Sequence, residues 1–215
     1  MSNSKNTIIL CSDIFKMGHL PTHFGFRFER NGFDVQYLPY PMAKKGISVE
    51  KIAEMNLNFV QELRAKSKHS VFIGHGIGGR IGMELLCQDP LAFDAVVTIA
   101  TSYKASSAIV SVSDIGPLEG ILEAFSPLLL ELRKDANIPE QLLIPSLSLA
   151  AQFDSILGRD ATADIIDEHT TIPLTTHSSI LSSGRAYLEV LGWLNYAVFS
   201  PHSFGGKDID DVVVK

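Results

Sequence analysis

Val71-Phe72-Ile73-Gly74-His75-Gly76-Ile77-Gly78-Gly79-Arg80-Ile81-Gly82 is the stretch that decides the fold. It opens on an apolar run, turns through glycines at alternate positions, and leaves into residues spaced for a helix. A strand that passes into a helix through so tight a corner is the building step of a parallel sheet covered by helices on both faces. Outward from it the alternation continues. Upstream, Thr7–Ser12 and Phe33–Leu38 read as strands, with a short helix around Phe24–Arg30 that Asn31-Gly32 terminates. Pro39 and Pro41 break the chain. Val49–Ala65 then carries Val49, Ile52, Ala53, Leu57, Val60 and Leu63 at helical spacing, behind a Ser48 suited to cap it. Ser70–Ile73 is the next strand and Ile77–Cys87 the helix it feeds. Downstream, Ala95–Ala100 and Ser146–Ala151 are buried strands, followed by a short strand near Thr171–Leu174 and a helix over Arg185–Val198. The expected architecture is α/β: a mostly parallel sheet of about six strands in a three-layer sandwich. One domain spans 1–215, with residues 103–144 inserted as a small helical cap and 200–215 as a polar tail.

Composition agrees with a self-sufficient core. A chain of 215 residues with 46% hydrophobic and 20% charged content buries enough apolar surface to fold without disulfides or metal. The net charge of −6, with 18 scattered Lys and Arg, argues against a nucleic-acid surface. Cys11 and Cys87 read as small buried apolar residues rather than a bridge. The polar start Met1–Asn6 and the short apolar run Thr7–Cys11 contain no export core or membrane span, so a soluble cytoplasmic protein is expected.

The glycine corner resembles the nucleophile elbow of the α/β-hydrolases, small-x-Ser-x-small, and more narrowly the Gly-His-Ser-x-Gly-Gly string of esterase- and lipase-like members. Gly74, His75, Gly78 and Gly79 match that string; Gly76 stands where it has serine. The resemblance extends over nearly the whole chain. Leu149-Ala-Ala-Gln-Phe-Asp154 is similar to the strand that ends at the family's catalytic acid, and Thr175-Thr-His177-Ser-Ser-Ile-Leu181 to the loop that carries its histidine. The resemblance implies a triad in the order Gly76, Asp154, His177, with backbone amides of Ile14 and Ile77 forming the oxyanion hole. Asp160 and Asp164 are nearby substitutes for the acid. Where the family has His-Gly after the first strand, this chain has Ser12-Asp13, and a carboxylate beside an oxyanion hole opposes its work unless it turns away or is neutral.

Gly76 removes the atom that would be acylated, so no acyl-enzyme forms there. Three functions fit the pattern. The first is a serine esterase or lipase relative lacking its nucleophile, inactive by descent or by design. The second is hydrolysis through a water activated by His177 and Asp154. The third is a non-catalytic module for a small apolar or acyl-ester ligand or a partner. Gly74-x-Gly76-x-x-Gly79 also satisfies a dinucleotide fingerprint, but the strand after it ends in Thr101-Ser102 rather than an acid. His75 reads as a packing or hydrogen-bonding residue facing away from the nucleophile. His19, His23, His169 and His202 lack metal-ligand spacing. No cofactor and no metal are expected.

Overall fold

The computed structural model describes residues 4–13, 20–39, 47–105, 127–154 and 165–200. Six strands, β1 (Thr7–Cys11), β2 (Asp34–Tyr37), β3 (Ser70–His75), β4 (Ala95–Ile99), β5 (Ser146–Phe153) and β6 (Glu168–Thr176), form one sheet. Its order is β2-β1-β3-β4-β5-β6, and every neighbouring pair is parallel. Among the described residues four helices flank it: α1 (Leu20–Arg30), α2 (Val49–Lys66), α3 (Ile77–Gln88) and α4 (Gly184–Ala197). Between β1 and β3 the direction of winding reverses. That switch point is where open parallel sheets form their ligand crevice, beyond the strands' carboxyl ends.

The central strands β1, β3 and β4 are buried on both sides because both faces are covered. Ile9, Phe72 and Val96 lie in one core with Ile52, Val60, Ile77, Ile81 and Phe93, under α2 and α3. Their sequence neighbours Ile8, Val71 and Val97 lie in the other, with Phe24, Phe28, Val190 and Leu194 from α1 and α4. This is the period-2 alternation of a strand. Ser48 caps α2 as its type suggests, its side chain accepting from the Lys51 amide at 3.1 Å.

Three strands run longer than their sequence indicates; β5 continues to Phe153. β3 continues through Gly74 and His75 because these pair with Thr98 and Ile99. β6 starts at Glu168 because Glu168, His169 and Thr170 pair with Leu147, Ser148 and Leu149 of β5; their polarity marks one open edge, not a loop. Pro173 lies within this outer strand, and the β5–β6 register shifts between Ala151 and Phe153. There Leu174 adopts φ 56° and donates its amide to Gln152 Oε1 at 2.8 Å.

In the insert expected as a helical cap, Pro127–Arg133 forms a 3₁₀ helix, while 106–126 lie outside the described residues, as does the tail from 201 to 215. Tyr103, Leu128, Leu132 and Ile144 are buried in the α2–α3 core. Arg80 of α3, itself buried, binds this segment down. Its guanidinium donates to the carbonyls of Ser102, Lys104, Glu131 and Lys134 at 2.6–2.8 Å. Cys11 is buried in β1 and is not bridged to Cys87. Among the described residues no helix is long and apolar enough to cross a membrane.

Candidate active site

Four strands deliver the site from their carboxyl ends: β1 leads to Asp13, β3 to His75 and Gly76, β5 to Asp154, and β6 to His177. The corner between β3 and α3 works only with small residues. A Cβ on Gly74 would stand 2.5 Å from the Gly79 amide nitrogen, one on Gly78 would overlap the Cys11 carbonyl, and one on Gly79 the Thr101 hydroxyl. Gly76 itself has φ 57° and ψ −122°, a conformation open to glycine at little steric cost.

The space beside Gly76 is filled. A Cβ built on it would lie 2.5 Å from Asp13 Cγ and 2.6 and 2.8 Å from the carboxylate oxygens. Asp13 thus holds the position a serine side chain would take, reached from another strand. Its oxygens have the partners a serine nucleophile's chemistry would use: Oδ1 accepts from the Ile77 amide at 3.2 Å and Oδ2 lies 2.8 Å from His177 Nε2. The other imidazole nitrogen, Nδ1, is 2.8 Å from Asp154 Oδ2. His177 is therefore held between two carboxylates, with all three side chains at most 5% exposed.

These contacts set the charges. Burial alone would lower the His177 pKa, but the hydrogen bonds and charges of Asp13 and Asp154 outweigh it and raise it to about 9. Burial alone would raise the Asp13 carboxyl, and the His177 hydrogen bond and charge, with the Ile77 amide, hold it below its ordinary value instead. At neutral pH an imidazolium bridges two carboxylates. His75 is the opposite case, its pKa lowered to about 4 by burial and by the neighbouring His177 charge. It is neutral, and its Nε2–H donates to the His177 carbonyl at 2.7 Å.

Asp154 and His177 are brought together through Nδ1. Gly76 is at the corner, and Ile77 presents its amide to the site. Ile14, Asp160, Asp164, His19 and His202 lie outside the described residues. Two expectations are corrected. His75 does not face away: its ring centroid is 4.7 Å from that of His177, because the His177 loop folds over the end of β3 and offers its carbonyl there. Asp13 neither turns away nor is neutral, and it occupies the very amide assigned to the oxyanion hole. The same carboxylate fills the space over the start of α3 that a pyrophosphate would need, which removes the basis for the dinucleotide fingerprint. The signal for Asp13 was its position after β1; its partners lie 64 and 164 residues away.

One ring nitrogen each of His75 and His177 and an Asp13 oxygen lie within 4.8 Å of one another, a set of donors that a divalent cation could draw on. The Nε2–Oδ2 separation of 2.8 Å suits a shared proton better, since bonds of about 2.0–2.1 Å around a tetrahedral zinc hold its ligand atoms roughly 3.3 Å apart.

No protein-family model matches the sequence, and no curated relative matches it. Solved structures do. A carboxylesterase from the thaumarchaeon Nitrososphaera gargenis is similar with a TM-score of 0.66 at 12% identity, over 90% of this chain and 91% of that one. A thermophilic esterase from Thermogutta terrifontis gives 0.63 at 16%, over 90% of each chain. An alpha/beta hydrolase from a sediment metagenome of the Mar Chica lagoon gives 0.62 at 15%, over 90% and 91%. The chain has the α/β-hydrolase fold.

Proposed function

We propose that this chain is a serine-free hydrolase of carboxylic esters with small or medium apolar acyl groups, its reaction centre formed by Asp13, His177 and Asp154. One observation carries the reading: His177, fixed through Nδ1 by Asp154, keeps Nε2 aimed at the serine's place, where it meets a carboxylate at 2.8 Å. The esterase neighbours support the ester class by analogy of fold. In this reading the ester carbonyl carbon is attacked from the place the serine would fill, and its bond to the alkoxide breaks as the His177 imidazolium gives the departing alkoxide its Nε2 proton; the imidazole so formed takes a proton from the water that completes hydrolysis, with Asp154 holding one ring orientation throughout. A non-catalytic pocket for a ligand or partner has no need of a buried histidine held at both nitrogens, which favours chemistry over binding alone.

The test is turnover of p-nitrophenyl acetate and butyrate by the chain, by His177→Ala and by Asp154→Asn, before and after treatment with a serine-directed fluorophosphonate. Turnover by the unaltered chain should resist the fluorophosphonate and fall about 10²–10⁴-fold in His177→Ala. No turnover of either ester, or equal turnover without His177, would sink the proposal.

A further inference from the structure

We infer that Asp13 is the nucleophile, attacking through Oδ2 to form an acyl-aspartyl anhydride, and that the site takes acyl groups carried on acidic leaving groups, as in aryl esters and thioesters. This rests on the hydrolytic reading above and names its attacking atom and substrate class. The placement of the two carboxylate oxygens carries it. Oδ2 faces the only proton of His177 not directed at Asp154, so attack at Oδ2 and protonation of the leaving group occur side by side. Oδ1 is already hydrogen-bonded to the Ile77 amide, so an oxyanion donor is trained on the enzyme's own carboxyl group.

The steps balance. Oδ2 adds to the ester carbonyl carbon; the bond from that carbon to the leaving oxygen or sulfur breaks, and the leaving group takes the Nε2 proton. This leaves the anhydride on Asp13 and a neutral His177. Water then adds to Asp13 Cγ while Nε2 accepts one of its protons. The negative charge develops on Oδ1, where the Ile77 amide stabilises it. Collapse breaks the Cγ–Oδ2 bond and releases the acyl group as a carboxylate that carries the original Oδ2. The carboxylic acid left at Asp13 contains the water oxygen and ionises, releasing to solvent the one proton that ester hydrolysis yields. No oxidant or co-reactant is needed. A carboxylate is a weaker nucleophile than an alkoxide and displaces groups of low basicity most readily. Phenols and thiols, with pKa values of about 10 and 8.5 in tyrosine and cysteine, meet that condition far better than simple alcohols.

The experiment is a single turnover of p-nitrophenyl acetate in ¹⁸O water with protein in excess, followed by mass spectrometry of the tryptic peptide spanning residues 6–16 and of the acetate. The expected result is one heavy oxygen in the Asp13 carboxyl and none gained by the first acetate released, with Asp13→Asn turning over no faster than His177→Ala while keeping the parent melting temperature within a few degrees. Heavy oxygen in the first acetate and none in Asp13 would overturn this inference while leaving serine-free hydrolysis intact, as would turnover by Asp13→Asn at the parent rate. Absence of turnover by the parent chain would overturn both.

Discussion

At Gly76 two roles of one position have separated: the corner is kept, and the reactive group comes from elsewhere. Restoring serine alone should therefore fail. Gly76→Ser places a Cβ against the Asp13 carboxylate, whereas Gly76→Ser with Asp13→Gly clears that space and leaves the hydroxyl facing His177. Labelling by a fluorophosphonate, read by intact mass, should appear in the double variant and be absent from the single one. The charge at His177 gives a second distinction. Facing it are Asp13 from the end of β1, Asp154 from β5 and neutral His75 from β3; the two carboxylates hold its pKa at about 9. A serine hydrolase needs neutral imidazole at the outset. Here the imidazolium is the working form, so kcat/KM for p-nitrophenyl acetate, corrected for spontaneous hydrolysis, should fall as pH rises through about 9. Stability follows the same sign: a histidine pKa raised above its unfolded value stabilises fully below about 6.5, and that contribution is lost as pH rises through about 9. Asp13 shows why residue type alone misled. After the first strand an acid looks like an obstacle to an oxyanion hole; only the approach of β1 to the start of α3 shows it taking the hole's amide for itself.

At the level of elements, the β3–α3 corner was the most legible part of the chain because its constraint is steric and local. The glycines that mark it in sequence are those whose Cβ atoms would strike Cys11, Thr101 or the turn's own backbone. Gly78→Ala should accordingly destabilise by about 1–3 kcal/mol, the range for overpacking a filled interior, measured as a lowered urea midpoint. Helix α2 was equally legible, since Ser48 and the apolar spacing from Val49 to Leu63 are local signals that agree. Strand β6 was not. Glu168-His-Thr-Thr171 has the composition of a loop, and only pairing with β5 makes it a strand. His75 falls between these cases: its place at the end of β3 was readable, but its partner is a carbonyl 102 residues away.

Across the whole molecule, Arg80 joins what the sequence presented as separate parts. One buried guanidinium from α3 gathers carbonyls from the segment after β4 and from the 3₁₀ helix of the insert. Arg80→Met leaves four carbonyls without that donor and should cost about 2–3 kcal/mol by urea unfolding, with earlier proteolytic cutting near residues 131–134. Arg80→Lys should recover only part, because an ammonium cannot span the same fork of acceptors. The two-sided core was legible from the strands' continuous apolar runs; this clasp was not, since nothing near Arg80 in sequence announces carbonyl partners 22 to 54 residues on. The outer strand has a consequence of its own. β6 closes the sheet with a proline that donates no hydrogen bond and a register shift that interrupts its pairing. Such a border is a poor template for another strand, so this side of the sheet is protected from growing into neighbouring molecules even when the protein is crowded at high concentration.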